Sequence, residues 1–266
     1  MKLKKVLACA LAGAMVLLAG CSKGKNVDVD QLEKIKSEGK MVVALEGTWA
    51  PWSYHDEKNE LVGFDVEVSK TIAEKLGVSV EFVEGEWDSL LAGEDAGRYD
   101  MVVNGVDYTE ERAQKYDFTE PYAYSYVALI VKSDNEDIKS FEDLKDKSTV
   151  NSVASTYMDI AESYGAKATP VDTLDQTIEV VLAGRADATL NAEVSYYDYL
   201  SVHPDAAIKI AALSKDPTSV VIPLRKGDET KALREAVNQA IKELREEGKL
   251  AEISIKYFGI DITSLH

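Results

Sequence analysis

Leu91-Ala92-Gly93-Glu94-Asp95-Ala96-Gly97-Arg98-Tyr99-Asp100-Met101-Val102-Val103-Asn104-Gly105 is the stretch that decides the fold. A helical pattern stops at glycine, an Arg-x-Asp step follows, and an apolar strand runs to an asparagine. The same order returns downstream in Leu182-Ala183-Gly184-Arg185-Ala186-Asp187-Ala188-Thr189-Leu190-Asn191-Ala192. Helix–glycine–strand joints are common in α/β proteins, but a repeat carried this far reads as two lobes of one plan. Outward from both copies, strands and helices alternate. Met41 to Leu45 and Tyr99 to Val103 read as apolar strands, and Val78, Val80 and Phe82 keep a strand period. Asp65 is expected to cap a helix with Val68, Ile72 and Leu76 on one face. Tyr124 to Val131 and Ser219 to Leu224 are single-strand candidates, and Ser140 with Asp143 resembles a capping box. Leu233, Val237, Ile241 and Leu244 form the cleanest helical stripe. The class is α/β with largely parallel sheets.

Composition narrows what such a chain does. It has 266 residues, 45% hydrophobic and 29% charged, an ordinary globular balance that fits two lobes of about 100–130 residues. The formal net charge of −17 repels phosphate backbones, so nucleic acid is not an expected partner. Two cysteines and three histidines leave no disulfide scaffold and argue against a Cys/His zinc site. No cofactor or metal is expected. A basic start (Lys2, Lys4, Lys5), the apolar run Val6 to Ala19 and then Leu18-Ala19-Gly20-Cys21 resemble a bacterial lipoprotein signal. Residues 1–20 would be removed and Cys21 lipidated. Losing three lysines takes the charge from −17 to −20, so the lipid, not charge, would hold the body at the membrane. Residues 21–39 read as a lipidated tether and first helix.

Gly63-Phe64-Asp65-Val66-Glu67-Val68, with Ile72-Ala73 and Leu76, resembles the signature of the family 3 solute-binding proteins, extracytoplasmic receptors of polar amino-acid ABC transporters. Thr109-Glu110-Glu111-Arg112 and Tyr116-Asp117-Phe118-Thr119-Glu120-Pro121-Tyr122 form a second match. Gly47-Thr48-Trp49-Ala50-Pro51-Trp52 is similar to the family's first pocket loop, and Ser155-Thr156 with the Asp187 strand to its second lobe. The details look closest to the cystine/cysteine branch. The resemblance implies a two-lobed periplasmic-binding-protein fold of type II, each lobe a mixed, largely parallel sheet flanked by helices, joined by two hinge strands. It places these strands at Val127–Val131 and Val221–Leu224, lobe one at 40–128 plus 224–266, and lobe two at 129–223.

It also implies a site. A free amino acid is a zwitterion, and burying it costs several kcal/mol per charge unless each is paired. Arg112 matches the position that grips the α-carboxylate, a task suited to a planar two-pronged donor. Ser155 and Thr156, at a helix start, match the opposite lobe's contribution. For the ammonium the chain departs from the pattern, with Ala192 where many relatives carry Asp. Asp107 and Glu193 are the substitutes, Asp107 preferred because it shares a segment with Arg112. Glu46 falls where some relatives set an acid against a basic ligand side chain. Trp49 and Trp87 match pocket walls, Gly105 the ligand loop, and Asn191 and Tyr157 polar contacts, whereas Trp52 reads as packing. The implied function is capture of a free amino acid, cystine or cysteine first and glutamine or another polar one next, by hinge closure, with delivery to a membrane permease by a monomeric, lipid-anchored receptor. The rival is a cyclohexadienyl or arogenate dehydratase on the same fold, with Glu193 as general acid. No Ser/His/Asp set, phosphate loop or HExxH supports an enzyme.

Overall fold

The structure is a computed structural model that describes residues 30–265. The expected signal segment, Cys21 and the expected tether up to residue 29 lie outside the described residues. Two sheets organise the rest. The first holds Ser79–Glu84, Lys40–Leu45 and Met101–Val102 in that order, all parallel. The second holds Lys167–Pro170, Ser148–Asn151, Ala188–Ala192, Val127–Lys132 and Ile208–Leu213. Its first two pairings are parallel and its last two antiparallel. The fold is therefore two-lobed α/β with mixed, largely parallel sheets.

In chain order the helices are α1 (Gln31–Glu38), α2 (Phe64–Leu76), α3 (Trp87–Asp95), α4 (Glu110–Lys115), α5 (Thr156–Ser163), α6 (Leu174–Leu182), α7 (Glu193–Val202), α8 (Asp228–Glu246) and α9 (Lys249–Phe258). The stripe Leu233, Val237, Ile241 and Leu244 of α8 is buried against α1, α2 and α9 over the first sheet. Helices α5, α6 and α7 cover the second sheet. There Val127, Leu129 and Val131 face Leu144, Ala161 and Leu190, while Ala128 and Ile130 face Ile178 and Tyr196. Among the described residues no helix is long and apolar enough to cross a membrane.

The repeated motif has the same physical content in both lobes. Asp100 pairs with Val42 of the neighbouring strand through its N–H to the Val42 carbonyl at 2.8 Å, and its carboxylate accepts the Val42 N–H at 2.8 Å. Asp187 repeats this on Ser148, at 2.9 and 2.7 Å. Each aspartate thus fixes the register between its strand and the next. Asn104 and Asn191 then fall at or just past the carboxyl ends of parallel strands, where open α/β sheets bind ligands.

Three expectations need correction. Asp65 is not a helix cap: Gly63 is, at φ 133, and a Cβ there would lie 2.3 Å from the Trp52 carbonyl oxygen. Asp65 is instead fully buried and accepts the Tyr122 hydroxyl at 2.8 Å. The two long strands are each broken, into Ala123–Ser125 and Val127–Lys132, and into Thr218–Val220 and Pro223–Arg225. Lastly, Val127–Val131 is not a crossing strand. It is buried on both faces inside the second sheet, and the ribbon running between the sheets pairs Ala123–Ser125 with Thr218–Val220.

Candidate functional site

A narrow cleft lies between the lobes, about 530 Å³ when the solvent-open space at its mouth is included. The first lobe contributes its floor. Glu46 follows the strand Lys40–Leu45 and is locked by Asn104, whose Oδ1 accepts the Glu46 N–H at 2.8 Å and whose Nδ2 donates to Glu46 Oε2 at 2.7 Å. Burial still dominates, with Glu86 adding repulsion, and pushes the Glu46 carboxyl up to about 7 against the pull of Asn104. Trp49 stacks on Trp52 at 5.4 Å between ring centroids. Gly105 lies beneath both at φ 54, where a Cβ would meet the Trp49 ring at 2.7 Å. Only glycine lets the chain pass so close to the indole.

The loop then carries Asp107 and leads to α4. Thr109 caps α4 by accepting the Arg112 N–H at 3.1 Å, which orients Arg112 toward the cleft. Its Nη1 donates to the Asp107 carbonyl and to Thr156 Oγ1, both at 3.0 Å, and its Nη2 to the Ala154 carbonyl at 3.3 Å. The guanidinium also sits 5.3 Å from the centre of the Trp87 ring. Arg112 is therefore held by both lobes. Burial drags its pKa down, and the Asp107 and Asp159 carboxylates oppose this. Asp107 is buried, which raises its pKa against the pull of Thr218, Arg112 and Thr156.

The second lobe offers the start of α5. Ser155 caps it by accepting the Met158 N–H at 3.2 Å, which leaves Thr156 in the first turn facing Arg112. Among the described residues no group of three or more His, Cys, Asp or Glu gathers to hold a metal ion.

The cleft brings together nine of the anticipated residues: Arg112, Thr156, Asp107, Trp49, Trp87, Gly105, Glu46, Ser155 and Asn191. Tyr157 lines it as well, and Trp52 does not. Glu193 does not line it either. It opens α7, where Tyr197 one turn on shares its face and its hydrogen bond, and burial raises its carboxyl while Tyr197 lowers it.

Comparison with known proteins gives this arrangement a family. The family model described as bacterial extracellular solute-binding proteins, family 3, matches residues 41–260. The chain belongs to that family. It is 42% identical to a probable amino-acid ABC transporter-binding protein of Haemophilus influenzae, over 88% of this chain and 89% of that one. It is 37% identical to an L-cystine-binding protein of Bacillus subtilis, over 98% and 99%. Among solved structures, it is similar to the L-cystine solute receptor of Neisseria gonorrhoeae in its unliganded open conformation, with 40% identity and a TM-score of 0.60 over 88% of this chain and 99% of that one. An ancestral arginine-binding protein bound to arginine is less similar in sequence, at 34%, yet superposes better, with a TM-score of 0.77 over 83% and 99%.

The closer superposition goes with the liganded family member, not with the one closer in sequence. Arg112 reaches two groups of the opposite lobe, Thr156 and Ala154. Sequence reasoning missed Thr48, Asn104, Ser152, Asp172, Thr173 and Leu174 in the cleft wall. Asn104 was findable, since it occupies the place in the first copy of the motif that Asn191 occupies in the second. The loop from Asp172 to Leu174 announced only a helix start through Thr173, which accepts the Gln176 N–H.

Proposed function

We propose that this chain captures a free amino acid between its lobes and delivers it to the membrane permease of an ABC importer. The observation that carries the reading is Arg112, which stands on lobe one and donates to Thr156 and Ala154 of lobe two. A ligand α-carboxylate inserted there replaces weak neutral acceptors with a charged one and keeps both lobes engaged. Asp107, not Glu193, takes the ammonium, because it lines the same cleft as Arg112. Glu46 gives the site a second acid and Trp49 and Trp87 an apolar wall. That combination suits a long amino acid with a second ammonium; L-cystine carries one, beside a second carboxylate, and is the ligand proposed because two relatives are named as L-cystine-binding proteins.

Closure is a population shift: only contacts made in the closed form drive it. The bounds expected from the resemblance (40–128 and 224–266 for lobe one, 129–223 for lobe two) shift to the ribbon of Ala123–Ser125 and Thr218–Val220 as the hinge, with lobe two the chain between its two strands and lobe one the chain before and after them. The receptor is a monomer, and Cys21, exposed by removal of residues 1–20, tethers it outside the cytoplasmic membrane. The dehydratase reading needs Glu193 as an acid on substrate, and Glu193 stands outside the cleft. Its relatives here are named as binding proteins.

A thermal-shift panel of the twenty amino acids and L-cystine tests the reading, since ligand at about 100 times its Kd adds about 2.7 kcal/mol to the folded form. L-cystine is expected to raise the melting temperature, and Arg112→Ala to stay folded without that rise. A variant that keeps the full rise removes Arg112 as the carboxylate clamp.

A further inference from the structure

Trp52 and Ser195 stand 143 positions apart, on opposite lobes, and neither lines the cleft. The Trp52 indole Nε1–H donates to Ser195 Oγ at 3.1 Å, and both residues are essentially inaccessible, at 1% and 0% exposure. The flanking residues join the same docking. Ala192 and Val194 are buried in the hydrophobic cluster of the first lobe, with Phe64 and Ile222, although they belong to the second. Between them the Glu193 N–H donates to the Tyr126 carbonyl at 2.9 Å.

We propose that Ala192–Ser195 is a latch that holds the lobes closed through the Trp52–Ser195 hydrogen bond, with Ser195 acting as a positioning residue that never touches the bound molecule. The proposal rests on the receptor reading above for its function, but not for its geometry. With the lobes apart, water satisfies both partners. With the lobes together, each is the other's partner in a dry contact, so losing one leaves a buried polar group unpaired only in the closed form. The latch also reaches the ligand wall. Trp52 is the ring on which Trp49 stacks, and Trp52 packs on Phe64 and Phe258 at 5.7 and 5.0 Å. Fixing Trp52 therefore fixes the face that Trp49 shows to the cleft. The apparent affinity of such a receptor is its intrinsic affinity scaled by the closed fraction.

The test is a double-mutant cycle on the full chain, with L-cystine as the probe and stopped-flow rates as the readout. Ser195→Ala and Trp52→Phe are each expected to speed dissociation about tenfold, equivalent to 1.4 kcal/mol, with association unchanged. The double variant is expected to dissociate no faster than Trp52→Phe alone. Ser195→Ala releasing at the wild-type rate, or losses that multiply in the double variant, overturns the latch. If Trp52→Phe does not fold, Ser195→Ala decides alone. A wild-type chain that takes no L-cystine refutes the ligand reading and not the latch, which small-angle scattering then reads without ligand. Ser195→Ala must have the larger radius of gyration, and equal radii overturn it.

Discussion

Glu46 makes the proposed ligand class a matter of proton counting. In the ligand-free cleft burial lifts its carboxyl to about 7, so below that pH it carries a proton. A ligand ammonium placed against Glu46 favours the ionised form, and binding then expels the proton. Binding that releases a proton strengthens as pH rises, until the free group is ionised anyway. With a pKa of about 7 in the ligand-free cleft with the lobes together, and full ionisation in the complex, affinity for L-cystine rises by at most about 25-fold between pH 5.5 and pH 7.5. L-Glutamine, neutral at its distal end, gives no such rise, and further burial of Glu46 by a neutral group would tilt its profile the other way. Asp107 is also raised in the empty cleft, so the slope attributed to Glu46 is the difference between wild type and Glu46→Gln. Isothermal titration at the two pH values, in buffers of different ionisation enthalpy, measures both the affinity and the protons released. Equal slopes in wild type and Glu46→Gln with L-cystine refute the assignment of Glu46 to a ligand cation.

Two further substitutions separate neighbouring acids. Asp107→Asn is expected to weaken every amino acid that binds by about 10- to 150-fold, the worth of one hydrogen bond to a charged group, while Glu193→Gln leaves titrations unchanged. The reverse ranking would move the ammonium to Glu193. Glu94 is fully buried with both carboxylate oxygens unpartnered, and burial, against the pull of Arg225, pushes it up to about 8. Its folded-state pKa lies above its unfolded one, so the wild-type chain loses stability as pH rises from about 4.5 to about 8, by up to about 3 kcal/mol at pH 7. Glu94→Gln removes that dependence: its melting temperature should exceed the wild type's at pH 8 and match it at pH 4, and parallel pH profiles would show that Glu94 is ionised in the fold.

What was legible in the sequence is what is settled locally. The turn at Gly97 and Gly184, the Arg-x-Asp step and the strand behind it are decided by neighbours in the chain. The two aspartates do the same job on Val42 and Ser148, so the repeat announced both lobes. The capping of α4 by Thr109 is equally local, whereas Arg112 was placed at the ligand by the family resemblance and not by the cap. The breaks were invisible because their cause lies elsewhere in the chain. The run from Tyr124 to Val131 looks continuous until the Tyr126 carbonyl is seen to accept from Glu193. Likewise Val221 and Ile222 leave the ribbon because their N–H groups go to the Val106 carbonyl and to Thr119 Oγ1. Glu193 looked like a ligand contact because it neighbours the expected acid position, yet one step past the strand end at Ala192 the chain enters α7 and the side chain leaves the cleft. The same step placed Val194 and Ser195 against the first lobe. That Asn191 meets the cleft while Ser195 meets Trp52 is fixed by the angle at which α7 enters. That angle is set by packing on the first lobe's core, and no window of sequence around residue 193 contains it.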